Sequence, residues 1–432
     1  MIAIRFREKL PALTATGLFA LFVVLHLVGE YAIADRWIAW WRVGPYPFRF
    51  LDTDTVLSAV RCFNQGIDAY STNPCDDLGR VYTYSPLWMR ALMPFPVDEN
   101  WIIPAGLAVD LAFLASLFLL PPMRSWRMAA IVTLGAVSSA SVFAMERGNN
   151  DLVLFTLVCI TAALAARSPA LRFLGYAAAL LAGLLKYYPM AVMALAMREK
   201  PGRFFWVAGA SIAVTGFFVA MVWSDLWKAF ANIPEGSWWH DMFGSETLGG
   251  GLAQLNGWPE WSETAIRVVL SLSAFAAAAR IAGSERFEEA LEGLSRREWD
   301  FLLVGSLIAI GCFFTAQNIG YRAVHILLAL PGLVVIGRGR GLLIAGAPYV
   351  GLALMWSMVW RDYGFALAGW MTGQDQQMVF FLLWMLREAL WWWLIVLYAA
   401  FAIHFARHTP SVRFLMSHLA RSGNSRFREM AF

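Results

Sequence analysis

Charge is what this sequence has least of. Only 15% of its 432 residues are Asp, Glu, Lys or Arg, where a soluble chain carries about 25%. With 59% hydrophobic residues, that scarcity excludes an ordinary soluble enzyme and points to a lipid bilayer. The net charge of +4 is too small to suggest nucleic acid as a partner. Histidine is thin as well: His26, His325 and His404 fall in different apolar stretches, so ligand spacing for a metal is absent and no cofactor is expected. There is no short internal repeat, low-complexity tract or soluble domain. No cleavable leader is expected either, because the first apolar run is long enough to cross and lacks a small-residue cleavage site.

What is present is a succession of apolar runs divided by basic turns. They lie near Leu10 to Ile33, Trp101 to Leu120, Met128 to Met145, Leu152 to Ala166, Phe204 to Trp223, Thr264 to Ala282, Asp300 to Ala316, Ala323 to Ile336, Leu342 to Trp360 and Met378 to His404. Between Arg172 and Arg198 a further run is broken by Lys186-Tyr187-Tyr188-Pro189. It reads as two half-spans meeting at that break, because irregular backbone at membrane depth is tolerated where it lines a buried cavity. A single kinked helix is the alternative. The expected fold is therefore all-α: one polytopic membrane domain over residues 1–432, with about twelve crossings, some short or re-entrant. Arg5, Arg7 and Lys9, the turns at Arg124/Arg127, Arg167/Arg172, Arg296/Arg297 and Arg338/Arg340, and a basic tail over 405–432 with Arg407, Arg413, Arg421, Arg426 and Arg428 set the inner face. Two segments then lie outside: a long first loop over 34–100 and a second over 225–263, rich in Trp, Gly and acids.

The first loop holds the carboxylates: Asp52, Asp54, Asp68, Asp76 and Asp77. Trp37, Trp40 and Trp41 open it as an interfacial belt. It also carries Cys62 and Cys75, thirteen positions apart, which an oxidising exterior would join. Such a bridge stabilises by roughly 3 kcal/mol in the entropic account. Cys159 and Cys312 lie within apolar runs and read as small core residues.

Four polar clusters fall on the outer face in this topology. They are Asp52/Asp54, the turn Glu146-Arg147-Gly148-Asn149-Asn150-Asp151, Lys186-Tyr187-Tyr188-Pro189, and Gln317-Asn318-Ile319-Gly320-Tyr321-Arg322. A carboxylate opposite Arg147, Lys186 and Arg322 suits an anionic donor: the acid takes a proton from an acceptor hydroxyl while the cations hold a departing phosphate. Each residue also has a plainer reading. Asp52 suits a helix N-cap, Arg147 a bridge to Glu146 or Asp151, Lys186 and Arg322 interfacial anchors, and Tyr82, Tyr84 and Trp88 an aromatic belt.

The segments YTYSPLW, ERGNNDLVLF, LLKYYP and QNIGYRAVHILLALP, in this order, resemble the multi-spanning glycosyltransferases of the GT-C superfamily. The closest likeness is to the family 87, alpha-mannosyltransferase-like type, over about Phe50 to Pro331. The resemblance implies a polyprenyl-phosphate sugar donor and a catalytic Asp in the first external loop. That role maps onto Asp52, fourteen residues before Gly66, with Asp54 as its near rival. It also implies substrate contacts from Tyr84, Glu146, Asn149, Asn150, Asp151, Tyr187, Gln317, Asn318 and Tyr321. The chain reads Tyr84-Ser85-Pro86 where the family has Tyr-Pro-Pro. The expected activity is hexosyl or pentosyl transfer to a hydroxyl of a glycan, glycolipid or other acceptor, with inversion, on the extracytoplasmic face of a cell inner membrane. A secondary transporter or a lipid-linked glycan flippase is the competing reading, though repeated halves are not apparent. A non-catalytic membrane subunit, its polar clusters serving only as glue between helices, is the third.

Overall fold

Inside a bilayer an apolar segment has no water for its backbone, so it satisfies its own peptide groups as helix. A computed structural model of the chain describes residues 2–44, 48–233, 236–238, 240–338, 342–372 and 376–418, and helix dominates them. Arg340, Arg421, Arg426 and Arg428 lie outside the described residues, as does the side chain of Arg5. The only strands among those residues are β1 (Met242–Phe243) and β2 (Asn318–Ile319), paired antiparallel.

The chain opens with α1 (Ile2–Leu27), α2 (Tyr31–Ala39), α3 (Leu51–Asn64), α4 (Pro86–Leu92) and α5 (Ile102–Ser116). Next come α6 (Trp126–Ala136), α7 (Ser139–Glu146), α8 (Asn150–Ala165) and α9 (Pro169–Leu185), followed by a 3-10 segment over Tyr188–Arg198. Beyond it lie α10 (Pro201–Met221), α11 (Trp223–Ala231), α12 (Thr247–Asn256), α13 (Trp261–Ala282), α14 (Glu285–Glu292) and α15 (Arg296–Thr315). A 3-10 turn at Gly320–His325 leads into α16 (Ile326–Ile336), and α17 (Leu342–Ala345), α18 (Ala347–Met355), α19 (Ser357–Thr372) and α20 (Gln376–His408) complete the described fold.

Among the described residues seven helical stretches are long and apolar enough to cross a membrane: Phe6–Leu27, Glu99–Leu119, Trp126–Glu146, Pro201–Met221, Trp261–Ala282, Arg296–Thr315 and Gln376–His408. The expected count of about twelve is not met. Asn150–Ala165, Pro169–Leu185 and Gly320–Ile336 are apolar but shorter, below the roughly 20 residues a crossing needs. The run from Leu342 to Trp360 is divided among α17, α18 and the start of α19. Hydropathy counts apolar residues; it does not register where a helix stops. The segment 34–100 also differs from a plain loop, since it contains most of α2 and all of α3 and α4.

The break at Lys186 turns the chain back. Arg172 at the start of α9 donates from Nε to Glu199 Oε1 at 2.6 Å, just past the end of the 3-10 segment. The two arms therefore form a hairpin with Lys186-Tyr187 at its tip. Glu199 lies at one end of the bundle, where other basic turns gather. Arg7 bonds the carbonyl of Met123, Arg297 that of Leu119, and Arg198 the carboxylate of Asp300, while Arg124 pairs with Glu298.

At the opposite end the two polar loops dock on one another. Lys228 of α11 holds Asp68 at 2.6 Å, Arg90 of α4 holds Asp225 at 3.2 Å, and Asn232 bonds the carbonyl of Tyr70. Cys62 and Cys75 are disulfide-bonded, their Cα atoms 5.7 Å apart. The β1–β2 pairing ties the second loop to the segment carrying Arg322.

Candidate functional site

The start of α3 is locked against the turn that joins α7 to α8. Phe50, the residue before α3, has a left-handed backbone (φ 60°) and donates its N–H to the carbonyl of Glu146 at 3.0 Å. Asp52 N–H donates to the carbonyl of Arg147 at 3.0 Å, and Thr53 Oγ1 to that of Gly148 at 2.8 Å. Gly148 makes this approach possible: its φ is +53°, and a Cβ there would meet the Thr53 hydroxyl and come within 2.9 Å of the Phe50 ring. Gly148→Ala is expected to cost about 2 kcal/mol or more. A melting curve of the purified variant checks this, and an unchanged midpoint would show that the turn relaxes freely.

The turn places Asp52, which is 3% exposed, between two donors. Arg147 Nε reaches Oδ2 at 2.8 Å and Nη2 reaches Oδ1 at 2.5 Å. Asn149 Nδ2 also donates to Oδ2, while its Oδ1 caps α8 by accepting from Asp151 N–H at 2.8 Å. Asp54 does not share this site. Two residues along a helix rotate a side chain by about 200°, and its partners are Arg61 at 3.3 Å and Arg80 at 3.5 Å. Arg80 also grips Asp76 at 2.6 Å and bonds the carbonyl of Leu51. Asp54 thus holds the first loop against α3.

Burial pushes the Asp54 carboxyl up to about 6, and the charge of Asp76 adds to this, while Arg61 and Arg80 oppose it. A carboxyl raised in the folded state stabilises most below its unfolded value and loses that contribution as pH rises through the folded one. The wild-type protein should therefore lose stability relative to Asp54→Asn between about pH 4 and about pH 6. Parallel melting curves across that range test this; a constant difference would mean that Asp54 does not titrate there.

The second half of the site surrounds Asp151, which is fully buried in the first turn of α8. Lys186 Nζ donates to both its oxygens at 2.9 Å, and Arg322 Nε to Oδ2 at 3.2 Å. Tyr188 Oη donates to Oδ1 at 2.5 Å and lies 2.8 Å from His325 Nε2. Lys186 reaches inward because the backbone at the end of α9 turns extended there, with φ −158°. Asn318 orients Arg322: its Oδ1 accepts from Nη1, while its Nδ2 donates to the carbonyl of Cys312 at 2.7 Å.

Two tyrosines join the halves. Lys186 lies 5.5 Å over the Tyr84 ring, and both Asp52 and Asp151 are within electrostatic reach of that phenol. Burial pushes Tyr84 well above its ordinary value, and the charge of Asp52 is the next contribution, so it stays a neutral hydrogen-bond donor. Tyr321 is buried edge-on to Phe143, with ring centres 5.3 Å apart, and the same two carboxylates and Arg147 lie within electrostatic reach of it. All three cations therefore converge on one region.

Not every candidate joins them. Tyr187 packs its ring on Phe230 of α11, 5.0 Å away. Gln317 is spent on the backbone of Gly236, in bonds of 2.7 and 3.1 Å. Glu146 contributes its carbonyl to the α3 junction, while its carboxylate pairs with Arg49 at 3.2 Å. Asn150 is buried beside Asp151, its Nδ2 without a partner among the described residues. Tyr188 and His325 are the members that the sequence reading overlooked. His404, read as one of three histidines in different apolar runs, stands near His408 and Glu288 with ligand atoms within 4.8 Å of one another.

The arrangement is a pair of ion clusters, carboxylate with cation, beneath docked loops. Arg322 is hydrogen-bonded through Nε and Nη1, two of the five N–H donors a guanidinium carries, and the Lys186 ammonium offers a third proton beyond the two that Asp151 accepts. Donors thus remain for an anion. No family model, curated protein or solved structure matches this chain.

Proposed function

We propose that this protein is a membrane glycosyltransferase of the GT-C type, taking a sugar from a polyprenyl-phosphate donor and passing it to an acceptor hydroxyl. The observation that carries this reading is the meeting of Asp52 with Arg147, Lys186 and Arg322 around Tyr84 and Tyr321. The end of the bundle rich in basic turns faces the cytoplasm in this reading. The docked loops and the site face outward, in a cell inner membrane.

Phosphate leaves an anomeric carbon without needing a proton, so the acceptor hydroxyl is what requires help. Asp52 takes its proton as the new C–O bond forms, and the old C–O bond breaks with its electrons going to polyprenyl phosphate. The cations draw the leaving phosphate's charge, sharing with it the donors they now give to carboxylates. Attack opposite the leaving group inverts the anomeric carbon.

The test is transfer by the full-length protein in proteoliposomes, supplied with a panel of radiolabelled polyprenyl-phosphate sugars and hydroxyl acceptors. Label moving to an acceptor with release of polyprenyl phosphate supports the reading. Label moving across the membrane without bond cleavage favours a transporter instead, a reading to which the buried chain Asp151–Tyr188–His325 at two helix breaks lends support.

A further inference from the structure

A second group of ligating side chains stands at the basic end of the bundle, opposite the docked loops. The last turns of α20 carry His404 and His408, four residues apart, and that spacing puts both imidazoles on one face of a helix. Their ring centres are 4.3 Å apart. Glu288 comes from a different element, α14. One ligand atom from each of the three lies within 4.8 Å of the other two.

Packing holds this geometry. Phe287 is buried at 1% exposure, stacks on Phe401 with ring centres 5.3 Å apart, and stands edge-on to His404 at 5.9 Å. It pins α14 to α20 and leaves the next residue, Glu288, at the surface beside the histidines. Trp299 of α15 also stands edge-on to the His404 ring, at 6.1 Å. Nδ1 of His408 lies 2.8 Å from the carbonyl of His404. A carbonyl only accepts, so this nitrogen carries the proton and Nε2 keeps a free lone pair. Nδ1 of His404 is buried although the residue keeps some surface, which makes Nε2 the nitrogen open to an ion there too. His408 and Glu288 are both exposed. Grouping His404 with His26 and His325 hid this pair, because the histidine that matters is the next one along the same helix face.

We propose that Glu288, His404 and His408 bind a divalent first-row transition ion, with zinc as the reference. Two imidazoles and a carboxylate are a donor set that such ions accept, whereas magnesium and calcium favour oxygens alone. A tetrahedral ion with bonds of about 2.0 Å separates its ligand atoms by about 3.3 Å. Closing to that separation is within the rotamer freedom of the two exposed side chains. Three protein ligands leave the fourth position for water. Arg407 is the cation within electrostatic reach of His404, and the Glu288 carboxylate offsets its charge. The bound ion links α14 to the last turn of α20.

The test titrates the purified full-length protein, free of any histidine tag, with zinc against a chromophoric chelator. The expected result is one equivalent bound at about micromolar affinity or tighter, undisturbed by millimolar magnesium. Cobalt in place of zinc should give the visible absorption of a four-coordinate ion. Zinc should also raise the melting midpoint of the wild type. His408→Ala and Glu288→Gln change exposed side chains, so both variants should fold, and each should weaken binding at least about tenfold. The double variant should lose both the stoichiometric binding and the zinc-dependent rise in melting midpoint. Absence of saturable zinc binding by the wild type overturns the proposal. Undiminished affinity in the double variant places the ion elsewhere and overturns it equally. Sugar transfer is not the readout, so the outcome is independent of the role proposed for Asp52.

Discussion

Asp52→Asn is expected to leave a folded, membrane-inserted protein whose sugar transfer is at least about a hundredfold lower. The argument begins with position. Asp52 is fixed at the first turn of α3 by backbone bonds from Phe50 and from Asp52 itself to the 146–151 turn, with the Thr53 hydroxyl adding a third, and its carboxylate is oriented by Arg147 and Asn149. Among the described residues Oδ1 accepts only from Arg147, and a carboxylate oxygen has room for a second hydrogen bond. In the proposed reaction that vacant direction is where an acceptor hydroxyl would deliver its proton. An amide oxygen in the same place still accepts a hydrogen bond but takes no proton, so binding survives and chemistry does not. The substitution also leaves Arg147 without its counter-charge, and a melting curve separates loss of fold from loss of function. If stability falls, pairing Asp52→Asn with Arg147→Met restores the charge balance while still lacking the base. Transfer at the wild-type rate by a folded Asp52→Asn protein would remove Asp52 from the mechanism. Transfer lost only on Asp54→Asn would move the base to the other side of α3, against the geometry.

The site's membership was only partly legible in the sequence, and the reasons are local. Asp52 and Arg147 stood in polar segments that a membrane chain has no cause to carry unless they meet. Asp54 looked equivalent to Asp52 because polarity and spacing do not say which side of a helix faces a neighbour. Only the Phe50 and Gly148 backbone, which seats α3 on the 146–151 turn, separates the two. Tyr187 and Tyr188 were likewise indistinguishable, since the extended residue Lys186 decides which ring turns toward Asp151. His325 was discoverable: it follows Arg322 by three residues, the repeat of a 3-10 turn, which puts both on one face. The count of crossings was overestimated because several apolar runs belong to helices that stop early. α8 and α9 end or begin at the residues that build the site, so the polar end of the bundle is made by helix termini instead of by a separate domain.

The largest structural effect is expected at Asp151. This carboxylate is fully buried and serves Lys186, Arg322 and Tyr188 together. Removing one partner of a buried ion pair costs about 3–5 kcal/mol, because the remaining charge is left without compensation. The side chains of Lys186 and Arg322 keep 13% and 16% exposure and recover some hydration, so Asp151→Asn should fall near the lower end, at about 3 kcal/mol. Two cations would then repel one another across a neutral amide. Lys186→Met alone should cost less, since Asp151 retains Arg322 and Tyr188. The double variant Asp151→Asn, Lys186→Met removes one charge of each sign, and it should regain part of the stability lost by Asp151→Asn. Activity should not follow that recovery. With Lys186 gone, the leaving phosphate loses a point charge that Arg322 does not replace, so the double variant should melt closer to the wild type yet remain deficient in transfer. Recovery of both together would show that Lys186 serves only to balance Asp151. A single variant Asp151→Asn that melts as the wild type does would mean that the two cations are not held by this carboxylate, and the clamp would have to be rebuilt from other residues.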